Sequence, residues 1–202
     1  MAKTKLGAGT LLAPLPAVLV SCGDGEKQNL LTIAWTGTVC TNPPMCYISV
    51  RPERHSYELI KRTGEFVINL TTEELARATD WCGVKSGRDH DKFREMGLTP
   101  LPGVEVKAPV VGESPLSIEC RVKEILPLGS HDMFLAEVVA VQADDAYIDP
   151  ESGRFSLEKA NPIVYSHGEY VTLGKAIGKF GWSVRKKSPT QKASNRKKEK
   201  KG

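Results

Sequence analysis

A chain of 202 residues, 40% apolar and 26% charged, has the size and composition of one ordinary globular domain with a buried core. Its net charge of +4 misleads, because Arg185 to Gly202 hold nine Lys/Arg against one Glu and leave residues 1 to 184 with 19 basic and 23 acidic side chains. The basic balance belongs to the tail, which argues against a nucleic-acid-binding body.

The chain opens with Lys3 and Lys5 ahead of an apolar run, Leu11 to Val20, closed by Leu19-Val20-Ser21-Cys22. That pattern is similar to a lipoprotein export signal. Pro14 and Pro16 would break the helix of such a signal, and the run flows through Gly23-Asp24-Gly25 into another strand. It is therefore read as the opening strand, Ala17 to Ser21, of a cytoplasmic protein. No other stretch reaches the roughly 18 apolar residues of a membrane span.

Further strands are expected over Leu30 to Thr36, Met45 to Val50 and Glu65 to Leu70. The first and last of these four strands are nearly continuous apolar or β-branched runs, which implies burial on both faces. Between them, residues 29 to 56 read as a polar-studded hairpin running into a helix. Asn29, Thr32, Trp35, Thr36, Ser49, Arg51 and Ser56 crowd this stretch. Such a set suits a flat, phosphorylated aromatic ligand; the alternative is a half-buried hairpin with a polar outer face. A helix from about Tyr57 to Arg62 follows, with Ser56 as N-cap and Gly64 as stop. Two more helices are expected at Glu73 to Thr79 and Asp91 to Met96.

A Pro/Gly-rich linker, Pro100 to Pro115, leads to two long strands, Leu116 to Ile125 and Met133 to Ala143, joined by a turn at Pro127 to Asp132. Alternation sets Ile118, Cys120 and Val122 on one face and Glu119 and Arg121 on the other. Two last strands are expected at Ile163 to Ser166 and Tyr170 to Leu173. The fold class is mainly β: a small β-barrel with short helices over residues 1 to 187, and a disordered basic tail from Ser188. Gly174-Lys175-Ala176-Ile177-Gly178 lacks the strand and helix context of a nucleotide loop. Five scattered cysteines give no zinc or disulfide framework, and four single histidines give no metal spacing. Reduced thiols are expected, with Cys120 a small buried hydrophobe.

The runs Pro14 to Cys22 and Asn29 to Thr36 resemble the opening of the flavin reductase-like, FMN-binding split-barrel proteins. Ile48-Ser49-Val50-Arg51 through Ser56, Gly64-Glu65-Phe66-Val67-Ile68-Asn69, Cys82-Gly83 through Ser86 to Asp91-Lys92-Phe93, and Gly168-Glu169-Tyr170 through Gly174 continue the resemblance over residues 12 to 183. Trp35 after Thr32-Ile33-Ala34, and the Gly-Lys-Ala-Ile-Gly ending, look most like the flavoredoxin branch.

The resemblance implies a homodimer that binds FMN non-covalently near its subunit interface and takes electrons from NAD(P)H or a redox protein. The protein is thus expected to be an FMN-dependent oxidoreductase; a flavin-storing or flavin-sensing module is the alternative. No catalytic acid, base or nucleophile is expected, because the flavin carries the redox chemistry. Arg51, Ser56 and Lys92 are candidates for the phosphate. For Ser56 the plain alternative is an N-cap, and for Lys92 a solvated helix residue. Asn29 is a candidate for the pyrimidine edge with Thr36 nearby. Thr32 and Trp35 are further candidates for the ring, although Trp35 reads equally well as a core side chain, and Ser49 is a candidate for the cofactor without a more specific place. His131 is carried over as a residue approaching the flavin, and Tyr165 as one that covers its dimethylbenzene side across the dimer, with His167 and Tyr170 as alternatives for that place. The tail has no interleaved aromatics to stack on bases, so neither a specific nucleic acid nor a membrane is an expected partner.

Overall fold

The computed structural model describes residues 1–25 and 27–185; the basic tail expected from Ser188 lies outside the described residues. Twelve strands occur among them: β1 (Leu15–Pro16), β2 (Val18–Asp24), β3 (Lys27–Ile33), β4 (Thr36–Thr41), β5 (Pro44–Val50), β6 (Glu65–Leu70), β7 (Pro100–Leu101), β8 (Val110–Val111), β9 (Leu116–Pro127), β10 (Asp132–Ala143), β11 (Ile163–Ser166) and β12 (Glu169–Thr172). The α-helices are α1 (His55–Thr63), α2 (Ala76–Val84) and α3 (Lys92–Met96).

Seven strands form one antiparallel sheet in the order β3-β2-β6-β9-β10-β5-β4. It curls around a core to which β2, β3, β5, β6, β9, β10 and α1 all contribute, with Val20, Ile48, Ile60, Phe66, Cys120 and Phe134 wholly buried. Strand β2 is buried on both faces, as its apolar run demands. Val18, Val20 and Cys22 enter the barrel, while Leu19 joins Leu30, Leu75, Cys82, Phe93 and Val111 in an outer layer beneath α2 and α3. A three-stranded sheet, β1-β11-β12, stands beside the barrel.

Several expectations shift. The strand expected to run through Thr36 ends at Ile33; the chain bends at Ala34–Trp35, and β4 starts the next hairpin. The Thr36 amide donates to Ala34 O (3.1 Å) and the Ser49 amide to Trp35 O (2.9 Å), which fixes the bend. Helix α1 begins at His55 with Arg54 at the N-cap, so Ser56 is no cap. It lies inside the first turn, 1% exposed, and its hydroxyl accepts from Asn29 Nδ2 at 2.8 Å. Gly64 does end the helix, at φ 69°, where a left-handed residue is needed. Helix α2 starts three residues later than expected and runs on past Thr79, whose hydroxyl bonds back to Leu75 O at 2.8 Å.

The segment expected as a linker is a packed cover. Val106, Ala108 and Val110 are buried against Val67 of β6. This cover buries Glu119 on the outer face of β9, where its carboxylate accepts from the Val104, Glu105 and Val106 amides (3.0, 2.7 and 3.0 Å) and from Gln142 Nε2 (2.7 Å). Among the described residues no helix is long and apolar enough to cross a membrane.

Candidate functional site

The bend after β3 opens a cleft of about 560 Å³. One wall is Thr32 to Trp35 with Ser49 to Arg51 of the barrel, and the facing wall is Tyr165, His167, Gly168 and Tyr170 of the β11–β12 hairpin. The last turn of α2, with Asp80, Gly83 and Val84, runs along it, and Thr10, Leu12 and Ala13 close one side. A second pocket of about 430 Å³ lies between the start of α1, residues 85–88 and α3. Leu31, Arg51 and Arg54 line both, so the two spaces form one continuous groove.

The second pocket is built for an anion. Arg51, Arg54, Lys85, Arg88 and Lys92 line it against the single carboxylate of Glu53. His55 is held below the ordinary imidazole range, first by burial and then by the charges of Arg88 and Lys92. Lys92 is 3% exposed, and its ammonium donates to Leu30 O (2.8 Å) and Cys82 O (2.7 Å). One of its three N–H groups remains for a ligand. Burial pulls its pKa down to about 8, with the nearby Arg54 acting the same way. Arg54 is steered by Gly83 O (3.2 Å) and Arg88 by Glu53 O (3.0 Å). The backbone itself forms part of the cradle: a Cβ on Gly87 would sit 2.1 Å from Asn29 Oδ1, so only glycine lets the 85–88 loop press against Asn29.

The first space is flatter and less committed. Trp35 is 42% exposed and meets His131 edge to face at 5.0 Å between ring centres. It is therefore not a core tryptophan. His131 is held below the ordinary imidazole range by burial, then by the charge of Arg51, and its Nδ1 lies 3.0 Å from Ser130 Oγ. The turn that carries it is tied to the barrel by Tyr57, whose hydroxyl donates to Asp132 at 2.6 Å. Thr32 donates its hydroxyl to Thr79 O, and a Cβ on Gly83 would lie 3.2 Å from Thr32 Cβ, so α2 is seated tightly on β3.

Among the residues singled out from sequence, Asn29, Ser56 and Lys92 share the anion pocket, Arg51 lines both spaces, and Thr32, Trp35, Ser49, His131 and Tyr165 line the cleft. Asn29, expected at a pyrimidine edge, lies instead on the anion side. Thr36 lines neither space: the bend at Ala34–Trp35 turns its side chain inward, where it is buried and donates to Tyr47 O at 2.7 Å. Sequence reasoning missed Arg54, Lys85 and Arg88 around the anion pocket and Asp80 along the cleft; His167 and Tyr170, weighed against Tyr165 for one place, line the cleft together with it. Ser86-Gly87-Arg88, a short polar loop with glycine between two helices, is the signal that could have found part of the first group. The five cysteines are free, and no group of three or more His, Cys, Asp or Glu side chains among the described residues could hold a metal ion.

A curled antiparallel barrel carries a groove that joins a flat cleft to a cationic pocket with one buried lysine, a shape and charge that suit a planar ring with an anionic end. The chain belongs to the family described as flavin reductase like domain, which matches residues 11–174. It is similar to the solved flavoredoxin of Desulfovibrio vulgaris (Miyazaki F), with TM-score 0.84 and 32% identity over 91% of this chain and 100% of that one. The flavoredoxin of Methanosarcina acetivorans gives TM-score 0.83 and 28% identity over 92% and 100%. In sequence, the NADH-dependent FMN reductase AsuE2 of Streptomyces nodosus subsp. asukaensis is 26% identical over 162 residues, covering 80% of each chain. Family and neighbours support a flavin cofactor and flavin oxidoreductase chemistry in general.

Proposed function

We propose that the groove holds FMN non-covalently and that the protein is an FMN-dependent oxidoreductase of the flavin reductase or flavoredoxin kind. The observation that carries this reading is the sharing of Leu31, Arg51 and Arg54 by the cleft and the anion pocket. One ligand with a flat head and a dianionic end spans both. FAD, with a second phosphate and an adenosine, is not required to explain either space.

Ser56, the free N–H of Lys92, and the guanidinium groups of Arg54 and Arg88 would hold the phosphate by charge-assisted hydrogen bonds. Asn29 is a positioning residue, fixing the Ser56 hydroxyl so that its proton points into the pocket. Thr32 to Trp35, Ser49 and His131 would flank the ring and exclude water from one side. When bound, FMN supplies the redox chemistry, accepting a hydride equivalent from a donor and passing electrons to an acceptor. The donor is a reduced nicotinamide or a redox protein, as the likeness to the NADH-dependent FMN reductase of Streptomyces and to flavoredoxin respectively suggests.

We read the active form as a cytoplasmic homodimer built from one domain, residues 1–187. The segment after β12 leaves Ile177 and Phe180 almost wholly exposed, which supports a second copy as the covering surface. The visible spectrum of the purified protein tests the reading. Flavin absorption that bleaches anaerobically with NADH or NADPH is expected. A yellow protein reduced by no donor would be a storage or sensing module, and a colourless protein that takes up no added FMN would overturn the assignment. Removal of residues 188–202 is expected to leave flavin content unchanged.

A further inference from the structure

The cleft is chemically two-sided. Arg51 and Arg54 lie where it meets the anion pocket, whereas Asp80 belongs to the cleft alone. Helix α2 sets the distance between the ends. Asp80, Gly83 and Val84 share one face, at i, i+3 and i+4, and Lys85 then enters the anion pocket. At about 1.5 Å per residue, Asp80 lies roughly 7 Å back along the helix from Lys85.

Opposite Asp80 stands an aromatic wall. Tyr165 and Tyr170 face each other across the β11–β12 pair, with ring centres 5.9 Å apart in an edge arrangement. The hairpin closes through His167 and Gly168, both at positive φ (49° and 93°), a backbone form that glycine accepts freely and histidine more rarely. The turn points this wall at the cleft. Tyr170 donates to Asp80 Oδ1 at 3.4 Å, a long bond, and Asp80 has no other side-chain partner among the described residues. The carboxylate keeps most of its acceptor capacity. Burial and the Asp80 charge both hold the Tyr170 phenol above its ordinary range, so it remains a neutral donor.

We propose that Asp80 and Tyr170 form a second subsite of this cleft, which takes the carboxamide end of a nicotinamide ring lying along the Tyr165 side. This rests on the flavin reading above. A lone carboxylate beside tyrosine faces favours a ligand that donates N–H bonds and whose ring is electron-poor or cationic. A primary carboxamide meets the first condition in the reduced and the oxidised nicotinamide alike, and the pyridinium of the oxidised form meets the second. Groups that only accept hydrogen bonds, such as a quinone carbonyl, a nitro group or a carboxylate, would face Asp80 unpaired or repelled. The subsite therefore favours a small nicotinamide donor over acceptor-only aromatics, and a protein donor would have no use for it. Asp80 is exposed on α2, so its replacement leaves the core intact.

The test uses the flavin-loaded full chain and the variants Asp80→Asn and Tyr170→Phe. Titration calorimetry with oxidised NAD and NADP reads nicotinamide binding without turnover, and fluorescence titration reads the FMN dissociation constant. Asp80→Asn is expected to weaken the better nicotinamide ligand about tenfold, and Tyr170→Phe roughly threefold, with FMN affinity unchanged within twofold. With reduced N-benzylnicotinamide and its carboxylate analogue as donors, the preference for the amide should fall about tenfold in Asp80→Asn. Unchanged nicotinamide binding, or FMN affinity that moves in step with it, would overturn the subsite. Wild-type protein that holds FMN but binds neither dinucleotide would do the same while sparing the flavin reading; protein that takes up no FMN fails that reading itself.

Discussion

The two ends of the groove are held in opposite ways. In the anion pocket the ligand-facing groups are already partnered, and three of them are buried: Asn29 with Ser56 and Lys92 with two carbonyls, while the exposed Arg54 is held by Gly83 O. In the cleft, Trp35 is 42% exposed, and the β11–β12 wall is joined to the rest through β1 and an isolated bridge between Thr72 and Pro162. Preorganised donors cost little reorganisation when a phosphate arrives, so the pocket is suited to affinity. The looser cleft leaves a face of the ring reachable, which electron transfer requires. The division predicts that mutations on the anion side change how much flavin is bound, whereas cleft mutations change what bound flavin reacts with.

The largest effect is expected from Lys92→Met. It removes a charge-assisted bond to the phosphate, and FMN affinity should fall roughly 100-fold, near the 3 kcal/mol upper end for such bonds. Stability of the flavin-free protein should change far less. Two carbonyls lose their donor, but a buried cation is also removed, and these costs oppose each other. Fluorescence titration set beside thermal unfolding of the apoprotein separates the two. A large loss of stability with little loss of affinity would mean that Lys92 is a strut and not a ligand.

Lys92 also gives the anion pocket a pH signature. Its pKa in the flavin-free protein, about 8, lies below the ordinary lysine value, so between pH 8 and the unfolded value the unfolded chain binds more protons. Stability contributed by this group therefore rises as pH increases through that window. Affinity for a phosphate runs the other way, because the anion needs the ammonium: FMN binding should weaken up to about tenfold per pH unit above pH 8. Around the ammonium, burial pushes the Cys82 and Cys22 thiols up to about 11 and 12, so neither ionises to compete at pH 8. Lys92→Met should flatten the dependence.

Gly87→Ala and Ser56→Ala come next. The alanine Cβ at position 87 would collide with an Asn29 side chain pinned by Ser56. The loop must back away, and roughly tenfold weaker FMN binding is expected from about 1–3 kcal/mol of overpacking. Ser56→Ala removes one hydroxyl and leaves Asn29 Nδ2 without its acceptor, for a loss of about fivefold, or roughly 1 kcal/mol. In both variants the rate of reduction of whatever flavin is bound should stay near the wild-type value.

What the sequence shows of this molecule follows the range of the forces involved. Strands β2 and β6 are legible because burial on both faces writes continuous apolar runs. The cap Gly64 is legible because a left-handed residue at a helix end is a local need. The bend at Ala34–Trp35 is not: it depends on the Ser49 amide bonding Trp35 O, and it reverses which of Trp35 and Thr36 faces inward. Alternation extrapolated through Thr36 therefore misplaces that side chain. Glu119 is legible as facing away from the barrel, but its burial comes from amides 13 to 15 residues distant that no periodicity announces. Arg54, Arg88 and Asp80 look like any charged residues near helix ends, and only tertiary packing gathers them about a groove.

The smallest predicted change in binding sharpens the comparison most. Trp35→Leu keeps an apolar side chain at the bend but removes the indole and its edge contact with His131. Trp35 is partly exposed, so the cost in stability should be under about 1 kcal/mol. The lost aromatic contact, at the lower end of about 0.5–1.5 kcal/mol because the phosphate end dominates, should weaken FMN about twofold. The reaction of the bound flavin should change more than its affinity, because water gains access to the ring edge that the indole shields. Stopped-flow reduction under anaerobic conditions, with reoxidation by oxygen measured in the same preparation, reads that effect at full flavin occupancy. If Trp35→Leu instead empties the site as thoroughly as Lys92→Met while its bound fraction reacts normally, affinity is distributed along the whole groove and the proposed separation between grip and reactivity fails.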